Sequence, residues 1–472
     1  MPCTGRHDRD AARRPDELLD DSTSVRAVAS LQELLARERE TFAGRHARSA
    51  AAYQAARPHL LGGVPMTWMN LAAGGFPLHL KAARGARVTD LDGNVFVDFA
   101  LGDTGAMAGH SPPATVEAIA RQSTQGITAM MPTEDAAWVG AELTRRFGPT
   151  QWSFTLTATD ANRWAIRLAR HVTGRPKILV FAWCYHGSVD EAFALRDGDA
   201  VVARPGNVGP PVDLARTTRV AEFNEPDDLA EQLAHGDVAA VLMEPALTNI
   251  GIVLPEPGYL EQVRRLTREH GALLINDETH TISAGPGGAT KAWGLEPDVV
   301  TIGKSIAGGI PSGAFGVTQE LAERIEASKD ADLVDTGGIG GTLAGNALSL
   351  AATRATLEHV LTDAAFERMI ARAVHFTEGV QQAIDSHGLE WSVTRLGARA
   401  EYTFAAPAPR TGSVAATAHD RGLEDYLHVY LANRGILITP FHNMALMSPE
   451  TTDEDVDRHT EVFVAALSDL RS

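Results

Sequence analysis

The chain has 472 residues, a formal charge of −18, 44% hydrophobic and 22% charged residues, the make-up of a globular protein large enough for two or three domains. This acidity argues against nucleic acid or an anionic membrane as the main partner, yet leaves room for a local phosphate pocket. Two cysteines, Cys3 and Cys184, support no disulfide framework and fit a reducing cytoplasm. No apolar run reaches transmembrane length, and the charged N-terminus lacks a signal-peptide core.

Residues 1–24 are polar and turn-rich and are expected to form a disordered arm. Residues 25–110 are expected to begin a small α+β domain. Ala, Leu, Glu and Arg recur at helical spacing to about Arg57, the turn Gly62-Gly63-Val64-Pro65 stops them, and alternating strands run from Phe76 to Phe99 around an Asp92-Gly93 turn. Helices and strands then alternate through residues 111–360. The pattern predicts helices at Pro113–Gln125, Asp135–Phe147 and Asp160–Thr173, and strands at Ile178–Phe181, Ala239–Met243, Ala272–Ile275 and Val299–Ile302. Such alternation implies right-handed crossovers and a mostly parallel sheet, with ligands off the carboxyl ends of its strands. Residues 361–472 read as a long helix, a strand near Ala398–Phe404, a helix, a strand at Ile436–Thr439 and a last amphipathic helix. This second part of the small domain is expected to pack on the first.

Chemistry-bearing residues gather at the predicted strand ends. In VVTIGKSIAGGIPSGAFGV a buried strand delivers Lys304 to its carboxyl end, and a second strand returns through Ala314 to Val317. An amine so placed is suited to Schiff-base formation. Gly303-Lys304-Ser305 looks like the end of a phosphate-binding Walker loop, but Asp298 stands where that motif needs its first glycine. In LLINDETHT a strand ends at Asp277, where a buried carboxylate could hold a proton on a pyridine nitrogen. ILVFAWCYHG brings Tyr185 and His186 to another strand end, offering a flat ring for stacking. Thr157, Ala158 and Thr159 lead into a helix opened by Asp160, where free N–H groups and hydroxyls could hold phosphate. Thr342 sits in the glycine-rich GGIGGTLAGN.

These segments, with GGVP, TDLDGNVFVDF, GHSPP, MEP, NDE and GTLAGN, resemble the class III (fold type I) pyridoxal-phosphate aminotransferases, in the style of the glutamate-1-semialdehyde aminomutase-like branch. The resemblance runs from about Gly62 to the C-terminus. It implies an α/β fold with a large, mostly parallel-sheet domain and a smaller α+β domain built from both chain ends. It implies pyridoxal 5′-phosphate as cofactor and a homodimer with a shared active site. Lys304 would form the Schiff base and shuttle a proton between substrate and cofactor, and Asp277 would pair with the pyridine nitrogen. Tyr185, beside His186, would stack on one ring face, and Thr279 would take the place of the usual valine on the other. Thr157, Ala158 and Thr159 would hold the phosphate, and Thr342 would reach the phosphate of the neighbouring subunit. Glu244 opens the segment beside the cofactor. Departures are Ala158 for glycine, Asp160 for glutamate, and Ala246-Leu247 where many relatives carry a glutamine.

The aminomutase carries an arginine after its GGV turn and a matching carboxylate in the C-terminal lobe. Here PMTWMNLAAGG and TPFHNMALMSP offer neither. Met66, Trp68, Met69 and Phe441 would instead form an apolar wall suited to a bulky amine or an amino acid with an apolar substituent. Arg395, by position, and Arg399 are the candidates for clamping a substrate carboxylate, unless Arg399 pairs with Glu401 on its own strand face. His442 and Asn443 could touch substrate. His110, His186, His280 and His442 lack metal-ligand spacing, and no metal is expected. The leading expectation is a transaminase acting between an amine, β-amino acid or amino acid and a keto acid. The alternatives are a glutamate-1-semialdehyde 2,1-aminomutase and a non-catalytic cofactor-binding protein.

Overall fold

The computed structural model describes residues 22–208, 213–327 and 339–471, so residues 1–21 of the expected arm lie outside it. Helices α1 (Ser22–Arg45) and α2 (Ala47–Ala56) precede an antiparallel meander of β1 (Leu80–Arg84), β2 (Arg87–Asp90) and β3 (Val95–Asp98). Gly93 takes φ 93° in the β2–β3 turn, a conformation glycine adopts freely. Beside it, the Asp92 carboxylate accepts the Arg48 and Ser49 N–H groups at 2.8 and 3.0 Å, tying the start of α2 to the hairpin.

Next come α3 (Pro113–Ser123), α4 (Glu134–Phe147), β4 (Gln151–Thr155), α5 (Ala158–Thr173), β5 (Lys177–Phe181), the hairpin β6 (Ala194–Asp197) and β7 (Ala200–Ala203), β8 (Thr218–Ala221), α6 (Pro226–Ala234) and β9 (Val238–Met243). They continue through α7 (Tyr259–Glu269), β10 (Leu273–Asp277), α8 (Gly288–Ala292), β11 (Val299–Ile302), β12 (Gly313–Val317), α9 (Gln319–Ala327) and α10 (Ala347–His359). A seven-stranded sheet in the order β4-β12-β11-β10-β9-β5-β8 forms the centre. Only β12 runs against the others, returning from the turn that carries Lys304.

Strand alternation divides the core. Val299 joins the hydrophobic cluster with α5, α6 and α7, while Val300 and Ile302 join the cluster on the other face with α4 and with Phe376 and Phe463 from the last hundred residues. All six residues of β9 are buried, as a central parallel strand covered on both faces requires. Each such Val or Leu contributes about 1.5–3 kcal/mol by leaving water.

The chain ends with α11 (Asp363–Ser386), β13 (Ser392–Leu396), β14 (Arg399–Thr403), α12 (Gly412–Ala415), α13 (Arg421–Asn433), β15 (Ile436–Leu437), β16 (Met444–Leu446) and α14 (Asp453–Arg471). The strand predicted near Ala398–Phe404 is thus half of a hairpin, and the one predicted to Thr439 stops at Leu437. β15 pairs in parallel with β3, aligning Ile436 with Val97, so the two chain ends share one small sheet. No helix among the described residues is long and apolar enough to cross a membrane.

Candidate active site

β10 carries Asp277 to its carboxyl end, where the side chain is buried against a polar network. Its Oδ2 accepts Asn162 Nδ2 at 2.8 Å and lies 2.9 Å from His186 Nδ1; its Oδ1 accepts the Thr279 N–H at 3.0 Å. Thr301 on β11 donates to Asn162 Oδ1 at 2.6 Å, which fixes the amide so that its nitrogen faces the carboxylate. Burial by itself would raise the Asp277 carboxyl; the bonded and charged His186, with Thr279 and Asn162, outweighs it and holds the group below the usual range. Glu278, the next residue, turns away and accepts the Ala289 and Thr290 N–H groups at the start of α8.

Lys304 follows β11 with φ 49°, a left-handed backbone that costs a residue with a side chain about 1–2 kcal/mol. Its Nζ lies 2.7 Å from Asp103 Oδ2 and 2.7 Å from His280 Nε2. Asp103 comes from a turn in which Leu101, Asp103 and Thr104 also have positive φ. Asp98 at the end of β3 stabilises that turn: Oδ1 accepts the Ala100 and Leu101 N–H groups, and Oδ2 lies 2.7 Å from His110 Nε2. Burial opposes ionisation of Asp103, but Lys304, then His280 and Arg399, hold its carboxyl far below the normal range. Burial, and next the Lys304 charge, push the His280 imidazole well below its normal value.

Lys304 and Asp277 border one cavity of about 480 Å³, lined also by Thr279, Tyr185, Trp68 and the start of α5. Thr157 caps α5, accepting the Asp160 N–H at 3.1 Å. Ala158, Thr159, His186, Glu244 and His280 also line the cavity, as do Gly309 to Ser312 from the turn after Lys304. Glu244 accepts the Tyr185 N–H at 3.3 Å and the Thr248 hydroxyl, and burial raises its carboxyl. The Trp68 ring centroid is 5.4 Å from that of Tyr185 and 5.2 Å from that of Phe441. Met69 borders a separate apolar cavity, and half-exposed Met66 accepts the Trp68 N–H through sulfur.

Arg395, Arg399, His442 and Thr342 do not line the Lys304 cavity. Arg395 donates to the Gly397 carbonyl at 3.2 Å, and Thr342 is exposed in a loop beside Met130 to Pro132. Arg399 is fully buried and reaches His280 and Thr104; Glu401 lies 3.0 Å from His442 Nδ1 instead of pairing with it. The sequence did not single out Asn162 or Asp103, and it set His280 aside as lacking metal-ligand spacing. The signal for Asp103 was a carboxylate between glycines in LGDTG. For His280 it was a ring three positions after Asp277. Asn162 stands two positions after the helix-opening Asp160.

The description "Aminotransferase class-III" matches residues 69–467. A glutamate-1-semialdehyde 2,1-aminomutase from Neisseria meningitidis serogroup A is 34% identical over 408 residues, 84% of this chain and 93% of that protein. The crystal structure of a glutamate-1-semialdehyde-aminomutase from Pseudomonas aeruginosa PAO1 is 50% identical, with a TM-score of 0.92, covering 94% of this chain and 99% of that one. A lysine-to-alanine form of that aminomutase is described in complex with PMP. An omega-transaminase from Sphaerobacter thermophilus is 30% identical, with a TM-score of 0.81 over 90% of this chain and 98% of its own.

Proposed function

Because this chain belongs to the class III aminotransferases and is a pyridoxal 5′-phosphate-dependent enzyme, we propose that it moves an amino group on a small amino-acid-type substrate, with Lys304 as the reacting amine. The observation that carries this reading is the meeting of Lys304, Asp277 and the start of α5 on one cavity.

The residues present fit the cofactor. The Thr279 hydroxyl is buried, borders the cavity and has no hydrogen-bond partner among the described residues, so it can accept or donate to a bound group. A Cβ at Gly187 would meet Thr159 Oγ1 at 1.9 Å, so glycine there lets the Tyr185 turn close on the start of α5. When bound, pyridoxal phosphate supplies the electron-withdrawing ring at which a substrate C–H bond is weakened. Asp277 would keep the ring nitrogen protonated, and its own network prevents it from turning away. Thr157, Thr159 and the N–H groups opening α5 would take the phosphate. Tyr185 and Thr279 would flank the ring. Lys304 would hold and return the proton taken from the substrate carbon. Thr342 would complete the phosphate site of a second copy, in a cytoplasmic homodimer.

Two reactions fit this chemistry. The relatives support the aminomutase best: the Neisseria and Pseudomonas proteins both carry that name, at 34% and 50% identity. Intermolecular transamination, the leading expectation from sequence, has weaker support from them. A specific observation nevertheless favours it as the second reading: among the described residues no arginine lines the cavity, whereas Trp68 and Tyr185 give it an apolar side. The deciding experiment follows the cofactor's absorbance in purified protein. Glutamate 1-semialdehyde alone should be turned over by an aminomutase. If only an amine donor changes the spectrum, and pyruvate or 2-oxoglutarate reverses the change, transamination replaces it. Protein that takes up no pyridoxal phosphate would sink both readings.

A further inference from the structure

The β6–β7 hairpin is mostly exposed and lines no part of the Lys304 cavity, yet it brings one half-buried arginine inward. Ala194 pairs with Ala203 at its open end, and the Arg204 N–H donates to the Phe193 carbonyl at 2.7 Å, which anchors the arginine backbone. From there Arg204 Nη1 donates to the Cys184 carbonyl at 2.9 Å, and Cζ lies 4.9 Å from the centroid of the Trp183 ring. Among the described residues the guanidinium has no carboxylate within ion-pair distance.

The Cys184 carbonyl that Arg204 grips and the Tyr185 N–H that Glu244 accepts at 3.3 Å are the two polar ends of one peptide unit. That unit is planar and rigid, so it can neither turn nor slide without loosening one of the two bonds. Glu244 is itself held by the Thr248 hydroxyl. The backbone leading into this peptide is strained. Trp183 has φ 67°, unfavourable for a residue with a side chain, and the Cys184 N–H turns back to the Phe181 carbonyl at 3.1 Å. One guanidinium thus faces the indole of the strained residue and binds the carbonyl of the next, as a planar cation with several donors permits.

We propose that Arg204 is a positioning residue for Tyr185: by clamping the Cys184–Tyr185 peptide against Glu244, it sets where the Tyr185 ring stands over the cofactor. That ring borders the Lys304 cavity and meets Trp68 with centroids 5.4 Å apart. The Tyr185 α-carbon adjoins the clamped peptide, so a shift of the peptide is carried directly to the ring. Without Arg204 the Cys184 carbonyl loses a charge-assisted bond and Trp183 loses its cation. The turn is then free to relax, and the gap between Tyr185 and Thr279 that the cofactor ring would fill is no longer held at one width.

Tyr185 has this role only if the cavity holds pyridoxal phosphate as proposed above, but the clamp can be tested without the cofactor. In full-length protein freed of it, the Tyr185 amide should exchange its hydrogen about tenfold faster in Arg204→Met than in wild type, and near the wild-type rate in Arg204→Lys, which keeps a charged donor. Unchanged exchange in Arg204→Met would overturn the clamp. Pyridoxal phosphate is then titrated into each protein while its visible absorbance and circular dichroism are followed. Arg204→Met should weaken binding about five- to tenfold and alter the dichroic band, with Arg204→Lys restoring both. In a Tyr185→Ala background the same substitution should change affinity by less than about twofold, because no ring is left to position. An equal loss in both backgrounds would reduce Arg204 to a structural part and overturn the proposal. If Arg204→Met does not fold, Arg204→Gln, which keeps a donor but no charge, takes its place in the same cycle with a loss of about two- to fivefold expected. Wild-type protein that takes up no pyridoxal phosphate, with the exchange effect present, would overturn the cofactor reading and leave the clamp standing.

Discussion

Asp277 accepts hydrogen bonds from three buried neighbours, Asn162, His186 and the Thr279 backbone, whereas Trp68, bordering the same cavity, is half-buried and meets Tyr185 and Phe441 through ring contacts. The first arrangement is directional: losing one partner leaves a buried polar atom unmatched. The second is non-directional, and an apolar side chain of another shape can replace its contacts at modest cost. The residues proposed for the cofactor thus hang from the central sheet, and the aromatic wall proposed for the substrate draws on segments from the two chain ends.

This contrast can be broken most sharply at Lys304. Lys304→Ala should abolish both turnover and covalent cofactor attachment, checked by borohydride reduction and mass spectrometry; an adduct of equal yield elsewhere would remove the lysine from the centre of the site. Asp277→Asn should lower turnover by about 10²–10⁴, the range of a missing acid–base group. Its acid stability should change too. The folded carboxyl titrates below its unfolded value, so its stabilisation is complete above about pH 4 and disappears as the pH falls. Thermal melting of the asparagine variant should therefore depend less on pH in that window than melting of wild type.

On the other side of the comparison, Trp68→Ala should change kcat/KM by about 10–200-fold for apolar-substituted donors, with cofactor affinity unchanged. A matching loss of cofactor affinity would show that the two walls are not separable. In the C-terminal segment, His459 on α14 is buried between Phe99, Phe376 and Phe463 with no hydrogen-bond partner among the described residues, and burial pushes its imidazole down to about 3. Its folded pKa lies below its unfolded one, so it withdraws stability as the pH falls from about 6.5 toward that value, by about 1.4 kcal/mol per pH unit. Denaturant titrations of His459→Phe between pH 7 and 4 should show a shallower decline than wild type. The smallest effect is expected for Arg395→Ala, within about twofold in kcat/KM, the scale of a substitution outside critical contacts. Selective loss of the keto-acid half-reaction would instead bring Arg395 into the substrate site.

The parts legible in sequence are those where one residue's surroundings follow from its own strand. The apolar run before Lys304 and the one ending at Asp277 specify buried strands, and topology then places both ends on one cavity. Asp103 and His280 were not legible as partners of Lys304. Their approach depends on a turn with several left-handed residues, and few local rules predict how such turns fold back. Arg399 was a candidate clamp for a substrate carboxylate, with pairing to Glu401 on its own strand face as the alternative. On β14, however, it pairs opposite Leu446 and enters the interior, where its hydrogen-bond partners among the described residues are His280 and Thr104. The role expected of Thr342 would require a second copy of the chain, which no pattern within one copy can supply.

The reversed direction of β12 has a mechanical consequence. Lys304 hangs from a connection whose two ends are both pinned into adjacent ladders, Val299 opposite Val317 and Ile302 opposite Ala314. Its α-carbon has little room to travel, so any reach of the amine must come from the torsions of its own side chain. Amide hydrogen exchange should accordingly be among the slowest in the molecule along both strands, even while the lysine tip swings between partners.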